Sequence, residues 1–175
     1  RIFDAYGKAR WTARSGPSAG IDVRQRDFFV ALRTDPQRGL FVSRPVVGAL
    51  VPDLMVSFAR RFNHPDGTFA GVVLVILPLS AVTEVLARPQ LGPGGSAILR
   101  YEDSSLIARY PPVDGPAGEV GARTTSEQFR SLMAAGQTSA TYYASTTSDG
   151  PARMNSIRRV EGLPFVLVVG MASDD

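Results

Sequence analysis

The chain has 175 residues and contains no cysteine, one histidine, one tryptophan and a single lysine, Lys8. Without cysteine there are no disulfides, no thiolate metal sites and no cysteine nucleophile, and the redox compartment stays open. One histidine, His64, cannot assemble the ligand set that zinc requires. Its place beside a turn reads as a solvated loop residue. There is no basic block either: the net charge is only +3, which argues against nucleic-acid binding. Long apolar runs are also absent. The longest, Ala70 to Leu79, is interrupted by Pro78 and is well short of the ~20 residues a membrane-spanning helix needs. No signal peptide is visible at Arg1, and the chain opens directly in strand-like sequence, as a piece of a longer protein would.

Catalytic patterns are equally scarce. Ser104, Ser105 and Ser126 lack a Gly-x-Ser-x-Gly context, and a Ser-His pair would have to recruit His64 from a loop. Glu102 and Asp103 are adjacent acids, but they sit in a turn. Gly92-Pro93-Gly94-Gly95 is glycine-rich without the Gly-Lys-Ser/Thr ending of a phosphate loop. These absences point away from an enzyme, a metal and any cofactor.

What is present is a foldable chain with 44% hydrophobic and 20% charged residues. Every basic residue other than Lys8 is arginine. That usage suits bidentate contacts to carboxylate or phosphate, and it is equally the mark of a GC-rich genome. Two apolar runs flank Pro65-Asp66-Gly67, a strong hairpin signal. The second run, Phe69–Leu77, reads as the buried central strand of an antiparallel sheet. The first carries Arg60 and Arg61, which must point to opposite faces of their strand.

Each half follows one plan. Ile2–Ala5 and the stretch around Arg10-Trp11-Thr12 are strands joined by a turn at Tyr6-Gly7. A loop rich in Ser, Gly and Pro follows. Asp22 is a suitable helix N-cap, with Gln25 at capping-box spacing. Phe28, Phe29 and Leu32 share a helical face, and Asp35-Pro36 ends that helix. Strands come next at Leu40–Arg44, Leu54–Phe62 and Phe69–Leu77. Ser80 caps a short helix through Leu86. The second half repeats the order: strands Ala97–Tyr101 and Leu106–Tyr110, a Pro/Gly-rich loop, a helix opened by Thr124-Thr125-Ser126-Glu127 and stopped at Gly136, then strand Ser139–Ala144. An Asp149-Gly150 turn and strands Ala152–Val160 and Phe165–Met171 complete it. The expected class is α+β: two tandem modules, each a central antiparallel sheet flanked by helices. The boundary is placed at residue 90, giving modules 1–90 and 91–175.

Several short motifs, in this order, resemble the double Cache sensor domains of bacterial receptors. They are Arg26-Asp27-Phe28-Phe29-x-Ala31, Leu40-Phe41-Val42-Ser43-Arg44-Pro45-Val46, Ser57-Phe58-Ala59-Arg60-Arg61 and Asp66-Gly67-Thr68-Phe69-Ala70-Gly71-Val72-Val73. In the second half they are Leu91-Gly92-x-x-Gly95, Ile107-Ala108-Arg109-Tyr110-Pro111 and Asp149-Gly150, with Pro164 leading the last strand. The resemblance implies two PAS-like modules outside the cytoplasmic membrane, the first distal and the second proximal to it. It also implies a periplasmic location as part of an inner-membrane protein. Two membrane spans and most of a long N-terminal helix would lie outside this chain, and the full receptor would be a homodimer. The versions it is closest to stand in front of diguanylate cyclases and histidine kinases.

In that family the ligand sits in the distal module. By that match Arg26, Phe28 and Phe29 line the pocket, Ser43 and Pro45 form an edge, and Ser57, Ala59 and Arg61 belong to its floor. The amino-acid-binding members carry Trp-Tyr where this chain has Phe28-Phe29. They also have an aspartate near the end of the central strand, where this chain reads Leu74-Val75-Ile76-Leu77. A buried ammonium without a counter-charge is costly, so a small carboxylate or another anion is the expected ligand. Competing assignments remain open from sequence: Arg26 as a surface residue paired with Asp22, Phe28 as core alone, and Arg60, Arg61, Arg158 and Arg159 as scaffold. A ligand-free interaction module is the second functional reading, with Phe28, Phe29 and Phe58 plugging the pocket. A secreted or cytosolic enzyme is the third.

Overall fold

The computed structural model describes residues 1–13, 21–47, 53–145 and 151–172. The Ser/Gly/Pro loop and the Asp149-Gly150 turn expected from sequence lie outside the described residues. The chain divides into two compact units, Arg1–Pro78 and Leu79–Asp175.

The first unit contains β1 (Ile2–Asp4), β2 (Ala9–Trp11), α1 (Asp27–Thr34), β3 (Leu40–Val42), β4 (Val46–Val47), β5 (Leu54–Asn63) and β6 (Phe69–Pro78). Its strands form one antiparallel sheet in the order β2-β1-β6-β5-β3, with β4 also pairing β5. The second unit contains α2 (Leu79–Leu86), β7 (Ser96–Tyr101), β8 (Leu106–Tyr110), α3 (Glu127–Ala134), β9 (Ser139–Ala144), β10 (Arg153–Val160) and β11 (Phe165–Ala172). Its sheet runs β8-β7-β11-β10-β9 and is also antiparallel. The two orders are the same when each unit is read from its opening hairpin, so the duplicated plan of the sequence is a duplicated topology. The helix α2, grouped with the first half by the boundary at residue 90, packs on β8 and belongs with the second unit.

Each module lays a helix on one face of its sheet, α1 in the first and α3 in the second. In the first unit Phe28, Phe29 and Leu32 of α1 meet Phe3, Ala59, Val72 and Leu74 of the sheet. In the second, Phe129 meets Ile157, Val166 and Val168. Burying such side chains contributes about 1.5–3 kcal/mol each. The helix boundaries follow from local chemistry. Ser126 caps α3, its hydroxyl accepting from the Phe129 amide at 3.2 Å, and Gly136 stops it with φ +71°. In α1 the expected capping box fails. The N-cap is Arg26, without a side-chain cap bond. Asp22 lies in an extended bridge with Lys8, and its carboxylate is taken by Arg24.

The strand Phe69–Leu77 is central in the sheet but not buried on both faces. Val72 and Leu74 are covered, whereas Val73 and Val75 are 41% and 59% exposed. An antiparallel sheet needs only one covered face.

The hairpin after β5 is built as the sequence indicates. The Asp66 carboxylate accepts from the Thr68 amide at 2.9 Å and hydroxyl at 2.6 Å, which holds its pKa below the usual carboxylate value. Gly67 takes φ +84° with open space around it. Gly71 differs: a Cβ there would overlap the Phe3 carbonyl oxygen and press on the Phe62 ring. Two glycines in one hairpin therefore carry different constraints. Gly67→Ala is expected to cost about 1 kcal/mol, the ordinary left-handed penalty. Gly71→Ala is expected to cost more than about 3 kcal/mol, because backbone of β1 must move. Urea unfolding of both variants checks this, and equal losses would contradict it.

Candidate ligand-binding site

The first unit holds a cavity of about 450 Å³ between its sheet, α1 and the segment that leads into α1. Leu74 and Ile76 of β6 and Met55 and Ser57 of β5 supply the sheet side. Phe41, Ser43, Arg44, Val46 and Val47 form an edge, and Asp22, Gln25, Arg26, Asp27 and Phe28 line the helix side. The volume lies within the range of small-molecule sites.

Of the expected pocket residues, the cavity brings together Arg26, Phe28, Ser43 and Ser57. Phe28 is both wall and core, since its ring also stacks obliquely on Phe3 at 6.4 Å. Ser43 and Ser57 join across the strand pair: the Ser43 amide donates to the Ser57 carbonyl at 2.9 Å, and the Ser57 amide donates to the Ser43 hydroxyl at 2.9 Å. That second bond continues the β3–β5 ladder by side chain and fixes the cavity edge.

Phe29, Ala59 and Arg61 do not line it. Phe29 is 0% exposed and packs edge-on against Phe69 at 5.6 Å. Consecutive helix residues point about 100° apart, so only Phe28 turns toward the cavity. Ala59, 1% exposed, sits under the helix in the same core. Arg61 is on the helix-facing side, as the alternation of β5 requires, but its guanidinium donates to the Leu32 carbonyl at 3.0 Å and lies 5.2 Å from the Phe69 ring centroid. Leu32 is in the last turn of α1, where carbonyls lack intrahelical partners. Arg61 is thus a tie between sheet and helix end. Arg60, on the opposite face, is exposed.

The second unit repeats this tie. Arg159 donates through Nε to the Gln137 carbonyl, just past α3, at 3.1 Å, and through Nη1 to Glu102 at 2.9 Å. The second arginine of each doublet is therefore scaffold.

The charges at the cavity are unevenly committed. Asp22 accepts from its neighbour Arg24 at the amide, 2.9 Å, and through the guanidinium at 2.6 Å. Those hydrogen bonds hold its carboxyl below the usual range. The paired-surface reading of Arg26 thus loses its partner, because Asp22 belongs to Arg24. The Arg26 guanidinium makes no hydrogen bond or ion pair among the described residues, and it is exposed at the N-cap of α1. The first two amides of α1, on Asp27 and Phe28, also have no acceptor there, as expected at a helix start. Asp27 lines the same mouth.

Sequence reasoning missed Phe41 and Met55 as lining residues. Both were available by period-two counting, Phe41 from Ser43 and Met55 from Ser57.

No family model matches the chain, and no curated protein does. Solved structures do. The extracellular domain of rpHK1S-Z16, a protein assigned as a histidine kinase, is 24% identical with a TM-score of 0.78, over 99% of this chain and 69% of that one. The ligand-binding domain of the Pseudomonas fluorescens chemoreceptor CtaA, in complex with L-serine, is 18% identical with a TM-score of 0.67, over 99% and 72%. That of the Pseudomonas aeruginosa PAO1 amino-acid chemoreceptor PctC, in complex with GABA, is 18% identical with a TM-score of 0.62, over 97% and 72%. These likenesses establish the fold.

The assignment of Arg61 as a tie has a measurable consequence. Arg61→Met is expected to destabilise the chain by about 1–2 kcal/mol, from one charged hydrogen bond and one exposed cation–π contact. Arg60→Met is expected to change stability by less than about 0.5 kcal/mol, as an exposed residue away from such features. Denaturant midpoints decide the matter, and the reverse order would refute the assignment.

Proposed function

From the premise that this chain has the double Cache fold of extracellular sensor domains, we propose that it is the extracytoplasmic sensing part of a bacterial membrane receptor. The first unit, Arg1–Pro78, is the membrane-distal module, and the second, Leu79–Asp175, is the membrane-proximal one. The ligand is a small carboxylate or another small anion, bound in the cavity of the first unit. The module performs no chemistry; a cytoplasmic diguanylate cyclase or histidine kinase reads its state in a receptor homodimer.

One observation carries the ligand class: the Arg26 guanidinium stands uncommitted at the cavity mouth, beside two unfilled amides of α1. A carboxylate there accepts from the arginine fork and from the helix start together. The rest of the ligand lies against Phe28, Phe41, Leu74 and Ile76. Both groups of donors sit at the front of α1, so an anion that bridges them and the sheet pulls the helix toward the sheet. The ligand biases the receptor only by its different affinity for the two helix positions. A cavity of this size supports a ligand-binding role over a plugged interaction module.

A second reading has support of its own. The central strand offers no acid to an ammonium group, but Asp27 lines the opposite side of the cavity, and two structures with this fold hold L-serine and GABA. A zwitterion placed between Arg26 and Asp27 would use both charges.

Thermal unfolding against millimolar carboxylates, amino acids, amines and sugars separates the readings. At 100 times its dissociation constant a ligand adds about 2.7 kcal/mol, a shift of a few degrees. Arg26→Ala is expected to abolish the carboxylate response and to leave the unliganded midpoint within about 0.5 kcal/mol, since that side chain is exposed and unpartnered. A response confined to amino acids and lost in Asp27→Asn selects the zwitterion. A carboxylate response that survives Arg26→Ala rejects the anion site.

A further inference from the structure

The second unit buries three arginines. Arg100, Arg109 and Arg153 are 5%, 7% and 4% exposed, and all three line one small cavity of about 50 Å³. That cavity lies between the inner face of the β7–β11 sheet and the segment Thr124–Ser126 that opens α3. No acidic residue is among its described lining residues.

The sequence register explains how so much polarity reaches one place. Tyr142, Asn155, Gly170 and Ser96 are consecutive cross-strand partners on β9, β10, β11 and β7. They form a single row across the sheet, and Arg153 stands two residues from Asn155 on the same face. Gly170 is the gap in that row. A Cβ there would stand 2.5 Å from Asn155 Oδ1, 2.9 Å from Arg153 Cδ and 3.2 Å from Ser96 Oγ. Three polar side chains thus converge over a residue that has none.

Backbone carbonyls help to hold the arginines. Arg100 donates to the carbonyls of Ser104 at 2.7 Å, Ala122 at 3.1 Å and Thr124 at 2.9 Å. Arg109 donates to Pro111 at 3.0 Å and Arg153 to Gly94 at 2.7 Å. These bonds orient the guanidinium groups. Two hydroxyls on the cavity wall, Ser96 Oγ and Thr125 Oγ1, are buried and make no hydrogen bond among the described residues; Ser96 is 1% exposed. A buried polar group without a partner costs about 1–3 kcal/mol. Arg100 also makes itself felt at Tyr142: burial raises that phenol's pKa, while a hydrogen bond with Ser126 and the Arg100 charge oppose the rise.

We propose that this cavity is a second binding site, for a small oxyanion of the formate, acetate or nitrate class. Guanidinium groups, two unfilled hydroxyl donors and a wall without acid among its described residues are what such an anion requires. The size sets the upper limit. A water needs roughly 10–15 Å³ on this measure, so the cavity admits a few heavy atoms and excludes amino acids. The site lies wholly in the second unit and does not depend on the function proposed for the first.

The test is an NMR titration of the ¹⁵N-labelled 175-residue chain with sodium formate, acetate and nitrate, exchanged for sodium chloride at constant ionic strength. Saturable shifts are expected at the Ser96, Asn155 and Gly170 amides. Gly170→Ala fills the gap in the row and is expected to raise the dissociation constant at least tenfold. The Asn155 side-chain end can yield to it, so the dispersed spectrum is retained. Ser96→Ala is expected to weaken binding at least threefold while leaving the anion-free midpoint equal or higher, because an unsatisfied hydroxyl is removed. Arg26→Ala is expected to leave these shifts intact, which separates this site from the first cavity. The proposal is overturned by any of three results: no saturable shift, equal shifts with chloride, or affinities unchanged in both Gly170→Ala and Ser96→Ala.

Discussion

A sheet much larger than the helix that covers it is the constraint on which the rest depends. An eight-residue helix is about 12 Å long. Five hydrogen-bonded strands span about 19 Å between the axes of the outer two, and the ten-residue strands of the first unit run for about 33 Å. One helix cannot seal such a face. A gap in each module is therefore built in, and what matters is where the helix is fastened and what the uncovered strands present. In the first unit Arg61 fastens the C-terminal end of α1, while Phe29 and Leu32 bury its middle. The uncovered region then falls at the other end, where the helix starts and its amides are free. The position of the cavity follows from which end of the helix is tied.

The same reasoning separates what was legible in the sequence from what was not. Strands and their hairpin order are readable because alternation and Asp-Gly turns act locally, and the duplicated plan follows from them. The start of α1 is not. Asp22 and Gln25 have capping-box spacing, but Arg24 lies between them and takes the Asp22 carboxylate, so a turn closed by the Arg26 amide on the Val23 carbonyl precedes the helix. The two-residue strand β4 carries no periodicity of its own and was read as part of a motif. At the cavity, alternation correctly put Arg60 and Arg61 on opposite faces, yet facing the helix is not the same as facing the cavity. Arg61 is long enough to reach the helix end, and a spare carbonyl there captures it.

The second cavity was also written in the sequence, in a form that apolar-pattern reading passes over. Arg153, Asn155 and Ile157 alternate with exposed Met154, Ser156 and Arg158, so the inward face of β10 begins polar and ends apolar. On β7, Ser96 and Arg100 bracket Ile98 along the cavity wall. Polar residues at inward positions are expensive unless partners are supplied. Several of them around one cavity therefore mark a place where the fold departs from simple core packing. The first unit differs: its sheet side is mostly apolar, and Asp22, Arg26 and Asp27 stand at the helix side with Arg44 at the edge. Two modules of one topology thus offer unlike environments.

Arginine usage makes sense in these terms without appeal to genome composition. A lysine offers one compact ammonium; a guanidinium offers a planar fork of donors that can serve separated acceptors. Arg100 alone joins carbonyls from Ser104, Ala122 and Thr124, three points that a lysine on the same strand would not hold in one geometry. Arg61 combines a carbonyl with an aromatic face, and Arg159 a carbonyl with a carboxylate. Against that background Arg26 stands apart. It has the same fork, placed at a cavity mouth, with no described acceptor to fill it. In a chain that uses guanidinium groups to tie loops and helix ends to its sheets, an uncommitted one at the free end of the helix is the residue most available to a ligand.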